Sequence, residues 1–387
     1  MRTTMATENN NKTLNVPNLR FPEFSGEWTK TKLGDIGTTL IGLTYSPKDV
    51  VPSGGTIVLR SSNIKGGLTD YNDIVRVNKK IKESIITRVD DLLICARNGS
   101  ARLIGKNAIL KQEDCGHTFG AFMMVYRAQN NKFVHQLLNT KRYYAQVGEN
   151  LGARINQITT SDLNSFEFYF PQTLNEQNKI ASMLSLLDDR IATQIKIIED
   201  LKKLKSAIRA KVFKQLESSC EFWSEIGNML QYEQPSKYLV TSTEYSDSYA
   251  TPVLTANKAF ILGYTDEEFG IYNKGECVIF DDFTMDVKYV NFPFKVKSSA
   301  IKILTSNSGN DLYFVYEYLQ NLGLVSEEHK RHYISEIEPI IVACPTFEEQ
   351  QNISNLLRSF DRKIEYANRE LTLYNKQKQY LLSQMFI

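Results

Sequence analysis

The chain contains one nineteen-residue pattern twice, 173 residues apart. Thr173-Leu-Asn-Glu176-Gln177-Asn-Lys-Ile180-Ala-Ser-Met-Leu184-Ser-Leu-Leu-Asp188-Asp-Arg-Ile191 aligns without gaps on Thr346-Phe-Glu-Glu349-Gln350-Gln-Asn-Ile353-Ser-Asn-Leu-Leu357-Arg-Ser-Phe-Asp361-Arg-Lys-Ile364. Seven positions are identical, where typical residue frequencies give about one. A chain with this repeat is built as two halves. Each copy opens with Thr-x-x-Glu, the sequence form of a capping box, which satisfies orphan amides at a helix start. Apolar residues then recur every three or four positions: Ile180, Leu184, Leu187, Ile191, Ile195, Ile198, Leu201, Leu204, Ile208 and Val212, and again Ile353, Leu357, Phe360, Ile364, Leu371, Tyr374, Leu381 and Met385. That spacing is a coiled-coil seam, and in the second copy it lapses at Asn368 and Gln377. Roughly 40 residues at about 1.5 Å rise make a rod of roughly 60 Å, long for a globular core and suited to a spacer.

A single amphipathic stripe also suits an ordinary helical bundle. The shared cap and phase point instead to two long helices packed on each other, and a duplicated unit then generates pseudo-twofold symmetry. The expected packing sets Ile180, Leu184, Leu187, Ile191 and Ile198 against Ile353, Leu357, Phe360, Ile364 and Leu371.

At 387 residues the chain exceeds one core, so several domains are expected. The repeat supplies the boundaries: a disordered polar tail over 1–18, a domain over 19–172, a long helix over 173–217, a second domain over 218–345 and a second long helix over 346–387. A β-rich stretch ending in proline precedes each helix, Phe166-Glu-Phe-Tyr-Phe-Pro171 and Pro339-Ile-Ile-Val-Ala-Cys-Pro345. Proline stops the strand and the cap starts the helix. Upstream, short β runs (56–60, 91–95 and 122–126; 253–255, 276–280 and 300–304) alternate with Gly, Asn and Asp turns, and short helices are expected over 132–144 and 311–321. These patterns predict an α+β fold, two domains each feeding one long helix. The interiors share far less sequence than the helices, as suits a common scaffold carrying different specificities.

A net charge of +2 permits nucleic-acid binding without announcing it. Lys202, Lys203, Lys205, Arg209, Lys211 and Lys214 fall together with no acidic residue among them, which reads equally as a solvated helix face or a phosphate-contacting stripe. Five cysteines, an odd number with no Cys-x-x-Cys spacing, indicate reduced, buried thiols rather than a disulfide framework or a zinc site. The polar amino terminus and the absence of a long apolar run imply a cytoplasmic protein with no membrane partner.

The catalytic motifs that the sequence approaches are all incomplete. Gly99-Ser-Ala-Arg-Leu-Ile-Gly105-Lys106-Asn107 has one residue too many for a P-loop and lacks its Ser/Thr. Asn291-Phe-Pro-Phe294 lacks the first proline of the Asn-Pro-Pro-Phe found in adenine methyltransferases. Asp282 with Asp286-Val-Lys288 has nuclease-like residue types, but the acids are only four apart, so the stretch reads as a solvated turn. His329 and His332 show no metal spacing and are expected on an exposed polar turn.

What remains are polar, basic loops at strand ends. Arg60-Ser61-Ser-Asn63 and Arg97-Asn98-Gly-Ser100-Ala-Arg102 juxtapose Arg with Asn and Ser, the types that read guanine and adenine edges by paired hydrogen bonds. Their counterparts by position are Thr255-Ala-Asn257-Lys258 and Asp281-Asp-Phe-Thr284. With Lys106, Arg154 and Lys288 these loops supply the candidate DNA contacts.

The chain here resembles the specificity subunits of type I restriction–modification systems. The carrying residues are Leu19-Arg-Phe-Pro-Glu-Phe-Ser-Gly-Glu-Trp28, Lys32-Leu-Gly-Asp-Ile36, Ile155-Asn-Gln-Ile-Thr-Thr-Ser-Asp-Leu163 and the two proline-to-Glu-Gln helix starts at Pro171/Gln177 and Pro345/Gln350. The resemblance covers nearly everything after Asn18; it departs at Glu221-Phe-Trp-Ser-Glu-Ile-Gly227, an abbreviated start to the second domain. It implies two target recognition domains separated by two long antiparallel coiled-coil helices, each domain reading half of a bipartite double-stranded DNA site. It implies partners too: two modification subunits that use S-adenosylmethionine to methylate adenine, and restriction subunits that use ATP and Mg to translocate and cut. This chain would be non-catalytic and hold no cofactor or metal. The competing classes are an autonomous DNA methyltransferase or nuclease, and a structural coiled-coil adaptor.

Overall fold

The computed structural model describes residues 14–151, 156–255, 260–326 and 331–387, with the backbone of residues 2–3. The chain divides into unit 1 (residues 1–196 with 369–387) and unit 2 (197–368). Two long helices, Leu174–Ser219 and Phe347–Met385, each give one stretch to each unit.

In unit 1, strand Thr29–Lys32 pairs antiparallel with Glu167–Phe170, the strand that leads into the first long helix. A one-turn helix, Leu33–Ile36, delivers the chain into a four-stranded sheet ordered 107–109, 92–95, 123–128, 37–41. A second sheet sets Thr118–Phe119 parallel to Thr56–Leu59. Leu92-Leu-Ile-Cys95 is buried throughout, as expected of a short apolar run in a central strand. The core gathers these strands with Trp28, Phe133, Ile180 and Leu184, and with Leu382, Met385 and Phe386 of the second long helix.

Unit 2 repeats this plan. Trp223–Glu225 pairs antiparallel with Ile341–Ala343 before the second long helix, and the one-turn helix Ile226–Met229 leads into a sheet ordered 287–290, 277–281, 301–306, 230–233. Lys295–Val296 lies parallel to Thr251–Leu254. Ile226-Gly227 therefore answers Leu33-Gly34, and the abbreviated start still forms the complete turn. A Cβ on Gly34 would stand 2.9 Å from that of Asn164, and one on Gly227 3.2 Å from that of Glu338, so the first position has no room for a side chain and the second is tightly packed.

The helix after the inner sheet also recurs. Asn130 accepts from the Phe133 amide at 3.2 Å and Asp311 from the Phe314 amide at 2.8 Å, each a side-chain N-cap. Phe133 then meets Phe386, and Phe314 meets Phe213, both pairs with ring centroids 5.5 Å apart. Phe213 and Phe386 are themselves 173 residues apart. So are Lys205 and Lys378, and so are Asp188 and Asp361. Lys378 pairs with Asp188 in unit 1 and Lys205 with Asp361 in unit 2. One contact set is thus made twice with the helices exchanging roles, the reciprocity of an isologous interface.

That reciprocity corrects the expected seam. Ile180 and Leu184 pack with Leu382 and Met385, whereas Ile353 and Leu357 pack with Ile208 and Phe213. Antiparallel pairing brings the start of one helix to the end of the other, so equivalent positions at the helix ends do not face each other. Leu187, Ile191, Ile198 and Phe360 are buried, Ile364 and Leu371 half-buried, and Leu204 exposed. The capping boxes also differ. Thr346 and Glu349 make the reciprocal pair of bonds, but Glu176 turns its buried carboxylate to Arg20 at 2.7 Å and to the Trp28 indole at 3.2 Å. Thr173 still caps the Glu176 amide at 3.3 Å.

Of the expected tail over 1–18, residues 1 and 4–13 lie outside the described residues. Asn15 is folded onto unit 1, its carbonyl accepting from the Trp28 amide at 2.8 Å. Among the basic cluster of the first helix, Lys205 and Arg209 turn inward to Glu317, at 2.6 and 3.3 Å, while Lys202, Lys203, Lys211 and Lys214 are exposed. Among the described residues no helix is long and apolar enough to cross a membrane.

Candidate nucleic-acid interface

In unit 1 the two polar loops chosen from the sequence meet. One follows strand Thr56–Leu59 and the other strand Leu92–Cys95. The Asn98 amide donates to Ser61 Oγ at 2.8 Å, and its oxygen accepts from the Ser100 backbone N–H at 3.0 Å, an Asx turn that shapes the loop. A third segment docks beneath. Asn156, at φ 51°, the left-handed region that Asn tolerates, donates to the Gly99 carbonyl at 2.9 Å. Its neighbour Gln157 bridges to Arg97. Asn156 and Gln157 belong to the 155–163 run, whose place beside the loop periodicity could not show.

Arg97 is exposed, its guanidinium carbon 5.2 Å from the ring centroid of Phe122. Phe122 is itself 60% exposed, unusual for a large aromatic ring. Sequence reasoning passed over it as part of a β run; an aromatic just before the apolar strand Met123–Ala128 was the available signal. Ser100 and Arg102 are exposed and Lys106 half-buried. Arg154 lies outside the described residues.

Asn63 does not present an edge to a ligand. It is 1% exposed, accepts from the Arg60 amide and donates to the Asp70 and Asp73 carbonyls, all at 2.9 Å. A buried amide must satisfy its polar atoms, and this one does so by closing the loop. Arg60 itself is held by Asp73 at 2.7 Å.

Unit 2 fills the same places differently. Pairing register makes Thr255, which is buried, the counterpart of Arg60; Asn257 and Lys258 lie outside the described residues. The Ala96 amide bonds the Phe122 carbonyl at 2.9 Å, and the Asp282 amide bonds the Ala300 carbonyl at 3.0 Å. That shared bridge makes Phe283 and Ala300 the counterparts of Arg97 and Phe122.

Asp281 accepts from the amides of Phe283 and Thr284 at 2.8 and 3.1 Å. Asp282, expected on a solvated turn, is 2% exposed and accepts from the amides of His332 and Tyr333 at 3.0 and 2.8 Å. His332, expected exposed, is buried as well, its ring nitrogens 2.8 Å from Glu336 and 2.9 Å from Ser326. The two amides and Lys302, 3.6 Å away, supply the partners that a buried carboxylate requires. His329 lies outside the described residues. Thr284 is exposed and Lys288 half-buried on its strand.

Elsewhere in unit 2, burial would raise the Glu267 carboxyl, but Lys295, Thr241 and the Ser242 amide hold it down at about 2. Burial pushes the Cys95 thiol up to about 11 and that of Cys277 to about 12, away from the thiolate that reacts.

Two α+β units that share the strand order of one four-stranded sheet, each packed on stretches of both long helices and differing in their exposed loops, define a duplicated scaffold. Residues 25–203 and 223–373 match the type I restriction modification DNA specificity domain, and the chain belongs to that family. Over 176 residues it is 42% identical to the specificity subunit of the type I restriction enzyme EcoR124I/EcoR124II of Escherichia coli, a match covering 42% of this chain and 44% of that one. The match thus spans less than half of that relative's length. The putative type I restriction enzyme MjaX specificity subunit of Methanocaldococcus jannaschii is 25% identical over 412 residues, 93% of each chain. The crystal structure of the type I restriction–modification S subunit from M. genitalium shares the fold, with a TM-score of 0.62 at 17% identity over 96% of this chain and 99% of that one.

Proposed function

We propose that this chain is the DNA-specificity component of a type I restriction–modification complex. Each α+β domain reads one half of a bipartite duplex target. The helix pair sets the spacer and docks two methyltransferase subunits, with restriction subunits completing the assembly. The chain is non-catalytic; S-adenosylmethionine, ATP and Mg act on the partner subunits. The observation that carries this reading is one backbone plan built twice with different side chains at the loop positions, Arg97 and Phe122 against Phe283 and Ala300. A short half-site offers few contacts, each worth about 1–3 kcal/mol, so two tethered readers are needed to single out a genomic site. The exposed Leu186, Leu356, Tyr366 and Leu373 on the long helices support a docking role for their outer faces.

Mapping methyladenine in a host that carries the intact system tests this. The expected result is an asymmetric two-part motif of which only one half changes when residues 29–165 are replaced by the corresponding segment of a relative. A motif that changes in both halves, or in neither, overturns the division of labour. An adaptor would give no sequence-selective DNA binding by the assembled methyltransferase, and an autonomous enzyme would turn over when purified free of partners.

A further inference from the structure

We infer that Arg97 and Phe122 form a single reader of two adjacent base pairs, a guanine next to a thymine, in the half-site assigned to unit 1. This rests on the DNA-reading function proposed above. The backbone fixes the two side chains to each other: the amides of both Ala96 and Arg97 donate to the Phe122 carbonyl, at 2.9 and 3.0 Å. Asn98 and Asn156 hold the loop on either side. A guanidinium held over an aromatic ring loses less freedom when its planar fork engages a ligand, and its N–H edge stays free to point outward. That fork matches guanine O6 and N7 in the major groove, and an apolar ring matches the thymine methyl. Guanidinium and ring lie 5.2 Å apart, close to the rise of about 3.4 Å between base pairs, so adjacent pairs fall within the joint reach of the two side chains.

The surroundings favour a methyl over water. Beside the ring opens a pocket of about 270 Å³ whose lining is mostly apolar, with Ile41, Met123, Met124 and Ile158 joined by the polar Gln157 and Thr160, and Ile41 is itself exposed. Exposed apolar surface beside an exposed cation suits a partner that offers an acceptor edge and a methyl side by side. Unit 2, with Phe283 and Ala300 at these places, does not repeat the pair.

The test uses the assembled methyltransferase and duplexes carrying its mapped target. Replacing the one thymine by deoxyuridine removes only the methyl group and should weaken wild-type binding about fourfold, the effect of one buried carbon. Phe122→Ala should bind the thymine and deoxyuridine duplexes equally. Phe122→Leu, which keeps an apolar side chain, should retain the preference. Arg97→Ala should relax selection at the guanine by roughly tenfold or more while the other half-site stays unchanged. A unit 1 half-site without adjacent guanine and thymine, or variants that leave methylation and binding unchanged, overturns the inference. So does loss of complex assembly with the motif intact, which would make the pair a protein contact. Absence of any sequence selectivity in the wild-type complex would instead sink the functional reading on which the inference stands.

Discussion

Gln136 in unit 1 and Glu317 in unit 2 sit six residues beyond equivalent helix caps, and each points at the long-helix ion pair of its own unit. Gln136 donates to Asp188 at 2.9 Å, beside Lys378. Glu317 accepts from Lys205 at 2.6 Å and from Arg209 at 3.3 Å, beside Asp361. The difference follows from the neighbour: Arg209 stands where the other copy has Leu382, 173 residues on, and Leu382 is buried in an apolar core. A second cation requires a second carboxylate, whereas one Lys–Asp pair is satisfied by a neutral amide. Both units reach local neutrality, which buried charge demands.

The comparison can be broken in four ways. The largest effect is expected from Leu184→Ala with Leu357→Ala. Each truncation should cost about 2–5 kcal/mol, and because the two side chains belong to separate cores the costs should add to within about 0.5 kcal/mol. A coupling well above that, measured by denaturant unfolding of the single and double variants, would return the two leucines to one seam.

Next, Glu317→Gln leaves Lys205 and Arg209 against an uncharged amide and should cost about 3–5 kcal/mol. Gln136→Ala removes one hydrogen bond and should cost about 1 kcal/mol. Equal losses in the two variants would show that the carboxylate answers no extra charge.

The counterpart pair His135 and Tyr316 predicts a pH effect confined to unit 1. Burial, reinforced by Lys378 and opposed by Asp188, depresses the His135 ring to about 4 from its ordinary 6.5. A depressed folded-state value means that the unfolded chain binds the proton first. The associated stability is therefore full above about pH 6.5 and declines as pH falls toward 4, by roughly 1–2 kcal/mol at pH 5. His135→Gln should flatten the pH dependence of unfolding between pH 7 and 5; an unchanged slope would assign it elsewhere.

The smallest expected effect concerns the caps. Thr346→Ala breaks a complete box and should cost about 1 kcal/mol. Thr173→Ala should cost less, because Glu176 is already committed to Arg20 and Trp28. A larger loss at Thr173 in thermal unfolding would reverse that order.

Much of the scaffold was legible in the chain. The gapless repeat announced both long helices, their caps and the strand–proline junctions, because helix periodicity and capping are local and leave their signature within a few residues. The loops Arg60–Asn63 and Arg97–Arg102 were legible as polar strand ends, but their meeting through Asn98 and Ser61 was not. Nor could spacing distinguish Asn63, which closes its own loop, from Arg97, which faces outward.

The likeness of the two interiors was likewise hidden. Four strands return in the same order, yet the residues at matching places share little, because a sheet fixes hydrogen-bond register through the backbone and leaves its side chains free to differ. Sequence alone determined that there are two halves, where each long helix begins, and which faces of it are apolar. Tertiary structure decided that Leu184 shares a core with Leu382 rather than with Leu357, that Asp282 and His332 are buried, and that Phe122 lies under Arg97. These depend on contacts between residues distant in the chain, and no local period encodes which distant residue a side chain will face.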